Sequence, residues 1–306
     1  MFRFSVRFLV AMVFVVFTGS AWSQPKALVD PAAGRVLGGH RFLPSEIIPG
    51  PFITTDFETQ TGLGFSTLTL SGTDYNLGVL AQFMRLQVAA TDWLAVRVGI
   101  DGMALSGVNA DAALAYGASA GYDLTAGATA SWLLDRLRVS GSFDLMSSQS
   151  SRFAFDDAIN RSLTAGKVDV TTLLVDTKTT TLAPGAQVAY GFSPAFGGFG
   201  HLRLALTNGS GGSDGSTNFL VGAGLSTDLL PISRVPVGFL LGYNLELDFP
   251  QKSGAETTSN STISGGVFYT GRSDLALGVE GSASFSSTGT LRVNLFTANF
   301  GIHYFW

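Results

Sequence analysis

Three histidines, His40, His201 and His303, are the only imidazoles in this 306-residue chain, and it contains no cysteine. Nucleophilic catalysis needs a hydroxyl or thiol beside an imidazole that a carboxylate orients. Histidines so scattered, with no thiol, also lack the ligand spacing of a zinc site. No glycine-rich phosphate loop precedes a helical pattern. Carboxylate pairs are the chemistry that remains. Glu246 and Asp248 stand two apart, on one face of a strand, and Asp101 would meet a neighbour across a sheet. Such pairs can work as acid and base, but acids at this spacing equally serve as wall charges. The expectation is a protein that is not an enzyme and carries no cofactor or metal.

What positions these residues is a succession of period-two segments. Twelve candidate strands follow one another at 62–70, 75–89, 93–105, 114–132, 136–146, 179–192, 198–208, 217–229, 237–249, 261–270, 274–285 and 290–306. In the fourth, Leu114, Tyr116, Tyr122, Leu124 and Trp132 share one face with five alanines, while Gly117, Ser119, Asp123, Thr125 and Ser131 share the other. In the fifth, Leu137, Val139, Phe143 and Leu145 oppose Arg136, Arg138, Ser140 and Asp144. Most of these segments reach ten residues, the length of a tilted membrane-crossing strand and longer than the ~5–6 of a soluble sandwich. Connections after even strands are tight. Those after strands three, five, seven and nine are longer and polar, with the longest, 147–178, able to hold a short helix around Phe153 and Phe155.

The last strand carries a specific signature. Phe300, Ile302, Tyr304 and Trp306 recur at every second position, and Trp306 is the final residue. This resembles the C-terminal strand of bacterial outer-membrane β-barrels. The resemblance implies an all-β, antiparallel up-and-down transmembrane barrel of about twelve strands, with both termini periplasmic. It also implies that these four residues are read by the barrel assembly machinery, and that outer-membrane lipid surrounds the wall.

The amino terminus fits that destination. Arg3 and Arg7 precede an apolar run, Phe8 to Phe17, and small residues flank Trp22. Residues 1–23 therefore read as a signal peptide, the alternative being a retained anchor. Removing its two arginines leaves 16 basic and 22 acidic side chains, a charge of −6 that argues against nucleic acid. Charged residues are 13% of the chain and glycines number 38, as suits a wall that is apolar outside and small and polar inside. Residues 24–61 differ in kind: Pro25, Pro31, Pro44, Pro49 and Pro51 exclude long regular elements. This segment is either a periplasmic tail or a plug in the barrel formed by 62–306. Leu43, Ile47, Ile48, Phe52 and Ile53 favour the plug.

Alternation sends most polar side chains inward. Arg97, Asp101, Asp123, Arg138, Asp144, Gln187, His201, Arg203, Asp228, Asn244, Glu246, Asp248, Glu280 and Arg292 are expected to line the lumen. They either pair across it and stiffen the wall or line a polar path. A twelve-stranded barrel is wider than the eight-stranded kind that its own side chains fill. The expected function is a channel for passive passage of small solutes, mildly preferring cations because acids outnumber bases in this set. The alternatives are a plugged transporter of small hydrophobic molecules, or a closed structural or adhesive barrel acting through its outer loops.

Overall fold

A computed structural model describes residues 33–45, 47–70, 72–108, 118–153, 174–210, 215–251, 256–288 and 291–306. Residues assigned above to the signal peptide, and the helix expected near Phe155, lie outside these. A single 3-10 turn, Ala33–Arg35, leads into a two-residue ribbon, β1 (Val36–Leu37) and β2 (His40–Arg41). Gly38 and Gly39 turn it, both at positive φ, which glycine adopts without a Cβ penalty. The wall then begins.

Its strands are β3 (Asp56–Leu70), β4 (Thr73–Ala89), β5 (Leu94–Gly107), β6 (Ala118–Leu134), β7 (Leu137–Phe153) and β8 (Leu174–Ser193). They continue as β9 (Phe196–Ser210), β10 (Ser216–Asp228), β11 (Val237–Pro250), β12 (Thr258–Tyr269), β13 (Leu275–Thr288) and β14 (Leu291–Phe305). One helical turn, α1 (Leu230–Ser233), lies between β10 and β11. Every wall strand pairs antiparallel with its sequence neighbours, and β14 pairs with β3 to close the barrel. Closure leaves no strand edge unpaired, as a protein in hydrocarbon requires.

Each of the twelve expected strands has a counterpart, the first four residues of the expected 114–132 lying outside the described residues, and the differences lie at the strand ends. β3 starts at Asp56, six residues before the expected 62, so the wall takes in Glu58 and Gln60. Its first residues, Asp-Phe-Glu-Thr-Gln-Thr, are polar on both faces, which hides the alternation. β7 and β8 extend to Phe153 and back to Leu174, so both ends of the expected long loop are strand. Arg136, placed inside by its spacing, is exposed in the two-residue turn after β6. Arg292 is exposed and shares the parity of Phe300 and Tyr304; it stands outside, one residue into β14. There its guanidinium can extend past the apolar band to water.

The outward face is greasy. Leu63, Phe65, Leu80, Ile100, Leu124, Phe143, Leu241 and Val279 are exposed on it. Trp93, Trp132, Tyr190, Tyr269, Tyr304 and Trp306 are exposed at the end where the β6–β7 and β8–β9 turns lie, called the turn end below, a girdle of the kind that anchors barrels at an interface. Outward polar groups satisfy each other: Thr61 donates to Gln82 Oε1 at 2.6 Å, and Gln82 Nε2 donates to Thr59 at 3.0 Å.

Candidate functional site

The site is the lumen, and alternation builds it. On β5, β7 and β9 the inward side chains include Arg97, Asp144 and Arg203. Arg97 and Asp144 lie on strands that do not touch. The residue in register between them on β6 is Gly127. A Cβ there would stand 2.0 Å from Asp144 Oδ1, so glycine is what lets the pair meet over the intervening strand. Arg97 Nε and Nη2 donate to the two Asp144 oxygens at 2.9 and 2.8 Å, the fork geometry that makes such pairs strong. Arg203 reaches the same carboxylate only at 3.4 Å.

A second network crosses the seam where the barrel closes. Glu58 on β3 is fully buried, flanked in register by Arg85 on β4 and His303 on β14. Glu58 Oε2 forms an ion pair with Arg85 Nη2 and Oε1 lies beside His303 Nε2, both at 2.6 Å, and Gln60 donates to Oε1 at 2.6 Å. Sequence reasoning missed Asp56, Glu58, Gln60, Arg85 and Gln87 as lumen residues. Arg85 and Gln87 had a signal in the odd-numbered inward parity of β4, whereas Thr59 and Thr61 on the outward face of β3 blur the alternation that would have shown Asp56, Glu58 and Gln60.

Every residue in the expected lumen set apart from Arg292 stands on the inward parity. Asp101 and Asp123 are direct cross-strand partners. Glu246 accepts from Asn218 at 2.8 Å, and Gln187 is held between Ser140 and Ser142. Asp228 binds Arg41 at 3.1 Å and Thr270 at 2.8 Å. Ser45 donates to Glu280 at 3.4 Å. Arg138, His201, Asn244 and Asp248 line the same interior without joining these pairs.

At the turn end the lumen is filled by residues 33–55. Leu37, Phe42, Leu43 and Ile48 are buried against Ala189, Phe199, Leu240 and Phe268 of the wall. Inward glycines make the room: a Cβ at Gly197 would lie 2.4 Å from Phe42 Cζ, at Gly238 2.9 Å from Leu43, and at Gly242 2.9 Å from Ile48. Polar fastenings run around the wall. Arg35 donates to the Ser273 carbonyl, Arg41 to Asp228 and to the Thr270 and Arg272 carbonyls, and Ser131 to the Pro51 carbonyl. Gln87 donates to the Phe52 and Thr54 carbonyls.

His40 meets Ser226 Oγ at 3.1 Å and the Pro194 carbonyl at 3.3 Å. Both side chains are buried and Ser226 also receives the Leu43 amide, so this Ser–His contact holds the segment and offers a substrate no access. In the Gly-x-Ser-x-Gly spacing around Ser119, Gly117 lies outside the described residues, and Ser119 and Gly121 continue as strand in β6, with no helix following the serine. The same spacing around Ser213 lies outside the described residues.

Burial lowers the His40 pKa below 6.5, outweighing the Pro194 carbonyl and Asp228, which raise it; Arg41 lowers it further. An undocked His40 would therefore bind a proton more readily than a docked one. Docking keeps its full strength above about pH 6.5 and loses it as pH falls below that value. The expected result is faster protease cleavage within residues 33–55 at pH 5.5 than at pH 7.5, with a smaller difference in His40→Gln. Equal pH responses of the two proteins would remove His40 from the account.

The closed twelve-stranded wall, apolar outside and charged within, is that of a bacterial outer-membrane β-barrel. An outer-membrane channel from Pseudomonas putida F1 superposes with a TM-score of 0.56 at 11% identity, covering 86% of this chain and 99% of that one. The transport unit of the autotransporter AIDA-I from Escherichia coli gives 0.53 at 13% identity, covering 90% and 97%. The β domain of the Bordetella autotransporter BrkA gives 0.53 at 10%, covering 83% and 100%. At these identities the likeness is one of fold. No family model matches the chain, and no curated protein does.

Proposed function

We propose that this protein is a channel for small solutes across the outer membrane whose turn-end mouth is closed by its own residues 33–55. The observation that carries the reading is the burial of Leu37, Phe42, Leu43 and Ile48 against inward wall residues, in space left by inward glycines. The reading is non-enzymatic: His40 and His303 are committed to buried structural contacts. Phe300, Ile302, Tyr304 and Trp306 face outward on β14 or at its end, available to the assembly machinery during insertion.

Single-channel conductance of the refolded protein, with and without residues 24–54, tests this. The full chain is expected to be silent or to flicker, and the deletion to conduct steadily. Equal steady conductance would mean an open pore with a passive tail. Silence of the folded deletion would mean a closed barrel acting through its loops.

A further inference from the structure

Between the docked segment and the wall a cavity of about 280 Å³ remains, at the small end of ligand pockets. Part of its lining is aromatic and aliphatic: Phe42, Phe52, Phe199 and Leu220. Phe42 lies 5.0 Å from Phe52 and 6.2 Å from Phe199, ring centre to ring centre, a continuous apolar surface. Arg203 lines the same cavity.

Arg203 is short of counter-charge. Asp144, the carboxylate it approaches, already accepts both forked bonds of Arg97. Arg203 is left with a 3.4 Å contact to Asp144 and a 3.0 Å contact to the Met146 sulfur, a weak acceptor. Its Nε has no hydrogen-bond partner among the described residues. Its side chain keeps 26% of its exposure, so a small molecule in the cavity can reach it. Two guanidiniums thus share the one carboxylate within ion-pair distance, Glu246 attracting Arg203 only from farther off, and the second is presented beside an aromatic surface.

Resting on the closure argued above, we propose that this cavity binds a small amphipathic anion, an aryl or branched-alkyl carboxylate. Its oxygens pair with the Arg203 fork, and its apolar body lies against Phe42, Phe52 and Phe199. The occupant touches the closing segment and the wall at once, so the site gives the channel a ligand that senses whether residues 33–55 are docked.

The probe is 3-phenylpropionate, compared with its neutral and cationic isosteres 3-phenylpropan-1-ol and 3-phenylpropylamine. Binding to the refolded mature chain is read by calorimetry, with empty micelles as reference. The acid is expected to bind at least about tenfold more tightly than either isostere. Arg203→Gln should remove that preference while leaving the alcohol unchanged, and Leu220→Trp, which fills the cavity, should weaken acid and alcohol together. Heat-modifiability on gels checks that each variant is folded. Equal affinity for acid and alcohol, undiminished acid binding in either folded variant, or no acid binding at millimolar concentration would overturn the proposal. Should Arg203→Gln not fold, Leu220→Trp decides alone. A silent protein that binds no acid keeps its closure and loses this site. One that conducts steadily with residues 33–55 present yet binds the acid keeps the site and loses the closure.

Discussion

Glu58→Ala is expected to destabilise the barrel by about 3 kcal/mol. Removing one member of a buried charge cluster costs about 3–5 kcal/mol because the partner charge stays behind unpaired. The low end applies because the Arg85 side chain keeps 27% of its exposure and can draw on lumen water. Glu58 is fully buried and His303 nearly so, so little water reaches the other half of the cluster. Glu58 also joins three strands at the closing seam, β14, β3 and β4. The loss should therefore appear as weakened closure, in the urea midpoint of the refolded protein and in a lower temperature of gel heat-modifiability. Adding Arg85→Met to the same background should recover part of the loss, since no stranded guanidinium remains. A change below about 1 kcal/mol for Glu58→Ala would mean that lumen water solvates the cluster well enough to make it dispensable.

Gly197→Leu should open the channel without removing any part of the closing segment. Gly197 lies on β9 with no positive φ, so the strand itself accepts a side chain. The obstacle is the segment: a Cβ would stand 2.4 Å from Phe42 and 2.5 Å from His40. Forcing extra methylenes into a packed contact costs about 1–3 kcal/mol, a shift of about 5- to 150-fold in the ratio of undocked to docked forms. Steady conductance from a barrel of unchanged heat stability is the expected outcome. Gly141→Val is the control, because a Cβ at Gly141 meets nothing within 4 Å. If Gly197→Leu stays as silent as the parent, the segment accommodates the side chain and its packing is looser than this contact implies.

Much of the wall was legible along the chain. Ala118 to Trp132 alternated so regularly that β6 and its inward Asp123 and Thr125 followed directly. A strand's side chains change face with each residue, so facing needs no knowledge of the fold. The connections were legible only in part: the two-residue turns after β6 and β8 are tight as expected, but the one after β10, expected to be tight, runs from 229 to 236 and holds a helical turn. The reading faltered where the pattern was weak. Residues 56–61 are polar on both faces, and Glu58 was lost with them.

What only the tertiary structure decided is which of the inward residues meet. Arg97 and Asp144 come together because barrel register sets Gly127 between them, and no period along the sequence carries that. Glu58 and His303 come from opposite ends of the chain and touch only because β14 closes on β3. The composition of residues 33–55 favoured a plug over a tail, but did not say which wall residues Phe42, Leu43 and Ile48 would meet. The glycines opposite Phe42, Leu43 and Ile48 are spread over β9 and β11, and only closure gathers them into one surface. Facing is set by each residue's own backbone, whereas partnership is set by the register and curvature of all twelve strands together.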